Sequence, residues 1–318
     1  MPNIVTYESL QKMMPDSAQW PIGDMWGLHD FCLDGNVRAR SYLKLFDQQF
    51  GEVDNVEDWV SLAQFMNYDG HRAMFEAQGK NRMGLVIWMS HPAWPSFVWQ
   101  TYDYYLEPTA GYFGAKKGSE PLHIQWNAFT DSVEVVNYSA GDRDQLTARA
   151  ELLNVDGSVV WQRDATLSLS EDSIGVLFGM EYPEGLTDVH FIRLELEHEG
   201  ELVSQNFYWR GSAAHNYRTL RTLPTVRLTS NTTTDRDGDR WYLRTTLENE
   251  TDQPALLVRL KVVRNNSGDL IAPVLYSENY VSLMPGERKT IRMELDHADT
   301  RGERPRVVVS GFNVEQLD

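Results

Sequence analysis

GLVIWMSHPAWPSFVWQTYDYY, residues 84–105, is the stretch on which the reading of this chain turns. Residues 85–89 are continuously apolar, as a strand covered on both faces must be, and Gly84 before them permits a close backbone entry. Trp88, Trp94 and Trp99 come in quick succession, punctuated by Pro92 and Pro95, which keep the connection out of helix and fix where each indole points. A buried strand that opens into an aromatic loop is a place where ligands are held, and flat aromatic faces suit sugar rings. The competing reading of the same tryptophans is core packing, because buried indoles are common.

Trp88, Met89, Trp94, Pro95, Ser96, Trp99, Gln100, Tyr102, Asp103, Tyr104 and Tyr105 form a pattern. It resembles the last barrel strand and adjoining loop of glycoside hydrolase family 2, in its exo-β-glucosaminidase and β-mannosidase branch. His91 stands where that family more often has Asn, so the polar contact to a sugar hydroxyl is altered at this position. The resemblance continues through residues 108–117 (PTAGYFGAKK) and 120–123 (EPLH), which look like the family's exit from barrel to β-sandwich. Upstream, residues 2–11 (PNIVTYESLQ) look like the segment just after the nucleophile strand, with Met1 and Pro2 as the M-P of an S-E-x-G-(M/L)-P-S signature. The resemblance therefore implies that the nucleophilic Glu and the acid/base carboxylate both precede this chain, and that no catalytic residue lies within it. It further implies a C-terminal portion of a retaining hydrolase, inactive alone, with Trp88, His91, Trp94 and Trp99 as substrate-binding residues. Glu8 does not replace the nucleophile on this reading; it serves as a first-turn charge favoured by the helix dipole.

Composition fits that picture. The chain has 318 residues, 42% hydrophobic with ten Trp, which supports two or three domains with large packed cores. A net charge of −17 argues against nucleic-acid partners, and no apolar span is long enough to suggest a membrane. A single cysteine, Cys32, leaves neither an internal disulfide nor a cysteine-rich zinc site, and no cofactor is called for. The amino terminus shows no signal-peptide pattern. The compartment stays open, a secreted or periplasmic parent being what the resemblance allows.

The chain's grammar divides it in three. Residues 1–110 read as the C-terminal part of a (β/α)8 TIM barrel, incomplete because such a barrel needs eight strands. Thr6 is placed to cap a helix over residues 7–14 that Pro15 helps to end, residues 20–26 read as a loop, and Asn55 with Asp58 caps a longer helix from Val56. Residues 111–212 and 213–318 read as two immunoglobulin-like β-sandwiches, with polar, turn-rich residues 211–221 as linker. In the first, strands are expected at 123–129, 132–137, 148–155, 159–161, 190–197 and 203–209, with Asp156-Gly157 as a hairpin turn. In the second, they are expected at 225–229, 239–247, 255–264, 275–281, 288–295 and 306–311, with Pro285-Gly286-Glu287 as a turn. Asn206-Phe207-Tyr208-Trp209 and Gly311-Phe312-Asn313 are local matches to the sandwiches at the end of the exo-β-glucosaminidase branch.

Other chemistry is thin. The eight histidines form no short metal pair and read as isolated surface residues, His91 excepted because of the loop that carries it. Residues 235–239 (DRDGD) lack the distal Glu of a calcium loop and read as a charged hairpin turn. Asn137, Asn231, Asn249 and Asn265 open glycosylation triplets at near chance frequency. The partners expected are a carbohydrate substrate and the missing N-terminal part of the enzyme. The alternative is a non-catalytic carbohydrate-binding or complementing β-sandwich subunit, the apolar edge at 85–89 being what a complementing chain would cover.

Overall fold

In the computed structural model of the chain, residues 2–31, 37–77, 85–211 and 216–317 are described, the side chains of residues 37 and 38 excepted. Six helices come first: α1 (Tyr7–Met13), α2 (Asp16–Gln19), α3 (Asp24–Leu28), α4 (Val37–Phe50), α5 (Val56–Glu76) and α6 (Ala110–Gly118). The α5 cap is as expected, with the Asp58 N–H donating to the Asn55 side chain at 2.9 Å. Thr6 stands at the start of α1, but its hydroxyl makes no capping bond, and the helix ends on extended Met14 ahead of Pro15. The expected loop at 20–26 turns into α3, because Trp26 is drawn wholly into the core. There it stacks on Phe97 at 4.7 Å and meets Trp59 edge-on at 5.4 Å. The α4 helix, with Ala39, Tyr42, Phe46 and Phe50 buried at three- and four-residue steps, was not anticipated.

The expected strand at 85–89 is absent, which corrects the opening expectation. These residues are irregular, and Val86 is 93% exposed. The physical reason is that no neighbouring strand lies beside them among the described residues, and a lone strand cannot satisfy its backbone groups. No parallel sheet occurs among the described residues, so they hold helices and irregular segments but not the expected barrel strands. None of the described helices is long and apolar enough to cross a membrane.

The first sandwich packs a three-stranded sheet, in the order β1 (Leu122–Asn127), β2 (Ser132–Asn137), β5 (Ser173–Gly179), on a four-stranded one. The second sheet runs β4 (Val159–Leu169), β3 (Arg143–Asn154), β6 (Val189–His198), β7 (Glu201–Gly211), every pairing antiparallel. The Asp156-Gly157 turn is present, Gly157 holding φ +86° and Asp156 accepting from the Ser158 N–H at 2.9 Å. The β5 strand and the outer length of β4 were not anticipated, since β4 is exposed along most of its course and carries no clean alternation.

The second sandwich pairs β12 (Val281–Leu283), β10 (Ala255–Arg264), β14 (Pro305–Gly311) and β15 (Val314–Leu317) in one sheet. The other runs β11 (Leu275–Tyr276), β13 (Arg288–Asp296), β9 (Arg240–Glu248), β8 (Thr229–Asp237). The expected strand at 225–229 lies too early: Val226 makes only an isolated bridge to Val314, and β8 begins at Thr229. Of the expected charged turn at 235–239, only Gly238 and Asp239 turn; residues 235–237 end β8.

Two cores result. One fills the first sandwich, around Ile124, Val135, Leu152 and Ile192. The other is continuous from the helices into the second sandwich, joined through Phe65 stacked on Trp209 at 4.0 Å and through Tyr217 beside Phe50. Polar groups tie the layers as well. Arg72, buried on α5, donates to the Asn206 side chain at 2.9 Å and the Phe207 carbonyl at 2.6 Å. The reading of the histidines as surface residues fails at His123 and His190, both buried. His123 bridges Glu76 of α5 at 3.1 Å and Glu120 at 3.0 Å.

Candidate functional site

The aromatic loop rests on a segment at residues 3–5 whose Ile4 and Val5 carbonyls accept from side chains. Gln64 of α5 donates to the Ile4 and Val5 carbonyls at 2.9 and 3.0 Å, and Asn67 donates to Ile4 at 2.8 Å. Asn3 passes the support to the loop, its N–H reaching the Phe97 carbonyl at 3.1 Å and its amide reaching the Gln100 carbonyl. The Phe97 N–H in turn donates to His29 at 2.9 Å, and Gln64 accepts from Ala110 at the start of α6 at 3.0 Å. Close packing of α6 on α5 depends on Gly114, where a Cβ would stand 2.1 Å from the Tyr68 carbonyl oxygen.

On this scaffold the four candidate residues stand apart from the core to different degrees. Trp88 is 75% exposed and Trp94 44% exposed; His91 is exposed and Trp99 half-buried. Trp88 and Trp99 line one concavity of about 610 Å³, together with Met66, Gly70, His71 and Met74 of α5. Its polar groups are already engaged, His71 with the Asn67 carbonyl at 2.9 Å and Asn67 with Ile4, so the wall is largely apolar. His91 and Trp94 do not line it. Trp94 stacks on His29 at 5.6 Å with the rings 20° apart, and His29 is anchored to the Pro95 carbonyl at 2.7 Å. His91 lies over Tyr104 at 6.4 Å. His29 and Tyr104 were missed as members of the loop's aromatic surface; for His29 no local sequence signal places it beside a residue 65 positions later.

The loop's own carboxylates are structural. Asp103 accepts from the Tyr105 and Glu107 N–H groups at 2.9 and 3.0 Å, and burial pushes its carboxyl up to about 6. Glu107 is ion-paired with Arg259 of β10. Glu8, expected only as a first-turn charge, also pairs with Arg259 at 3.0 Å and with Lys261 at 2.5 Å. Burial alone would raise the Glu8 carboxyl, but the two cations hold it well below the usual carboxylate range. No group of metal-ligating residues occurs among the described residues.

Arg72 and Glu76 of α5 both bond Asn206, and from that residue onward the sequence matches a known domain. Residues 206–314 match the exo-beta-D-glucosaminidase Ig-fold domain. The second sandwich is thus similar to the Ig-fold domain of exo-beta-D-glucosaminidases. An exo-beta-D-glucosaminidase of Streptomyces avermitilis is 32% identical, over 99% of this chain and 39% of its own length. One from Amycolatopsis orientalis is 30% identical, over 98% of this chain and 33% of its own length. The chain thus spans well under half the length of these curated relatives. Among solved structures, an exo-chitosanase of Amycolatopsis orientalis superposes with a TM-score of 0.90 at 27% identity, covering 99% of this chain and 41% of that one. A beta-D-mannosidase of Dictyoglomus thermophilum shares the fold, with a TM-score of 0.74 at 16% identity over 99% of this chain and 37% of that one. The likeness to the exo-beta-D-glucosaminidase family therefore takes in the helical layer and its loop as well as both sandwiches.

Proposed function

We propose that this chain forms the rear wall and aromatic rim of the sugar pocket of a retaining glycosidase of exo-β-glucosaminidase or β-mannosidase type. Trp88, Trp94 and Trp99 offer ring faces, and His91 offers a partner for a sugar hydroxyl. The observation that carries this reading is the exposure of Trp88 and Trp94 on a backbone fixed by buried amides. Retaining hydrolysis requires two carboxyl groups about 5–5.5 Å apart facing the substrate. The loop's carboxylates are buried and committed, Asp103 to backbone N–H groups and Glu107 to Arg259, so on this reading the reacting pair belongs to other polypeptide and this chain alone is inactive. The test is hydrolysis of nitrophenyl β-glucosaminide by the purified chain, expected at the buffer rate. Turnover abolished by a substitution within this chain would overturn the assignment.

A second reading, a complementing subunit, is favoured by the exposed apolar run at 85–89 beside the concavity on α5. Here the partner is the remainder of the hydrolase, supplied as a separate chain. Co-expression with that remainder is expected to restore glucosaminidase activity and to protect the 85–89 amides from exchange. Restored activity without that protection would count against this reading.

A further inference from the structure

The outer face of the second sandwich carries a pair of charges that its own sheet leaves uncompensated. Arg244 of β9 and Arg292 of β13 are direct cross-strand partners, both pointing to solvent. Like charges directly opposite one another are unfavourable in a sheet. No carboxylate of the described residues forms an ion pair with either, although the chain carries 46 acidic residues against 29 lysines and arginines. The acids in the adjacent row are engaged elsewhere: Glu294 pairs with Arg240, and Asp235 accepts from the Arg236 N–H at 2.9 Å.

Arg244 and Arg292 line a concavity of about 570 Å³ with Tyr242, Thr233, Leu275 and Ser277, and the engaged carboxylates of Asp235 and Glu294 stand at its edge. Ser277 fixes the Arg292 backbone by two bonds, its N–H donating to the Arg292 carbonyl at 2.8 Å and its hydroxyl accepting from the Arg292 N–H at 3.0 Å. Tyr242, 43% exposed, presents its phenol two residues from Arg244 on the same face, and Leu275, 59% exposed, closes the other side. Guanidinium forks recognise an oxyanion bidentately, and a neighbouring aromatic face suits a flat, hydroxylated ring.

We propose that this face is a second carbohydrate site, separate from the aromatic loop, that takes a sugar ring bearing a carboxylate. Arg244 and Arg292 hold the carboxylate and Tyr242 stacks on the ring. This inference does not depend on the function proposed for the loop.

The test titrates methyl β-D-glucuronide, methyl β-D-glucoside and acetate separately into the full chain, with binding read by NMR. The glucuronide is expected to bind at least tenfold more tightly than either control. Arg244→Gln and Arg292→Gln are each expected to weaken it tenfold or more, while Tyr242→Ala weakens the glucuronide and leaves acetate unchanged. Neither arginine has an ion-pair partner to lose among the described residues, so thermal unfolding of both variants is expected to match or exceed that of the parent. Three results would overturn the proposal: acetate binding as tightly as the glucuronide, glutamine variants that bind normally, or loss of self-association in those variants, which would make the face a contact between copies.

Discussion

Arg259→Met should be the most damaging single change at the junction between the helical layer and the second sandwich. Arg259 is shared between two carboxylates of unequal burial. Glu107 is only 5% exposed and has Arg259 as its ion-pair partner, whereas Glu8 is 36% exposed and also holds Lys261. Removing the guanidinium leaves the Glu107 charge buried and uncompensated, a loss of about 3–5 kcal/mol. Glu8→Gln removes a partly solvated pair and is expected to cost about 1 kcal/mol or less. The ordering is set by burial rather than by the number of contacts, since Glu8 makes more of them. Calorimetry should place the Arg259→Met transition on the order of 10 °C below the parent. Adding Glu107→Gln to Arg259→Met should recover most of that loss, because the unpaired buried charge is gone. A melting temperature for Arg259→Met within a degree or two of the parent, or no recovery in the double variant, would refute the reasoning.

Other expectations rest on single sites. His123 is buried, which alone would favour its neutral form, but hydrogen bonds and charge from Glu120 and Glu76 raise its pKa above the ordinary value. Its contribution is then full below about pH 6.5 and lost as pH rises through the raised folded value, so thermal stability should fall on the alkaline side, with a smaller slope in His123→Gln. Asn137 and Asn249 are wholly buried, at the end of β2 and directly after β9, their amides donating to main-chain carbonyls and their oxygens accepting from Ser139 and Thr251. Alanine at either should cost about 1–3 kcal/mol in chemical unfolding, and glycan mapping after expression in a glycosylating host should find both unmodified. Gly114→Ala must push α6 away from the Tyr68 carbonyl, for a loss of about 1–3 kcal/mol in the same unfolding measurement.

How much of this was legible in the sequence depended on whether a segment's surroundings were local. The β10 strand, ALLVRLKVVR, and the β2 strand, SVEVVN, were bounded correctly, the first because burial makes it largely apolar and the second because its valines alternate with polar residues. The β8 strand, TSNTTTDRD, is exposed at every position and offers no such contrast, so the expected strand at 225–229 meets it only at Thr229. Helix α4 shows the opposite failure: Tyr42, Phe46 and Phe50 recur at helical spacing but sit among charges that mask the stripe. At the site, the tryptophans and His91 were visible as residue types. Their support was not, because Asn3 reaches Gln100 and Glu8 reaches Arg259 only after the chain has folded back on itself. The same distance effect hid His123, which sits three residues from one carboxylate partner and 47 from the other.

The failed strand at 85–89 is informative about the loop beyond it. A chain that leaves Val86 and Trp88 in water forgoes about 1.5–3 kcal/mol for an aliphatic side chain of that size, and a comparable or larger amount for an indole. Local looseness does not explain that exposure, because the backbone on the far side of the loop is pinned through Asn3, Phe97 and His29. Trp88 borders open space, the concavity of about 610 Å³ on α5, rather than a filled core. The ring faces are therefore presented by a loop whose far side is fixed by backbone bonds. Whatever covers them, a sugar ring or a neighbouring polypeptide, meets a surface already in place, and the ordering cost that usually offsets binding falls mainly on the partner.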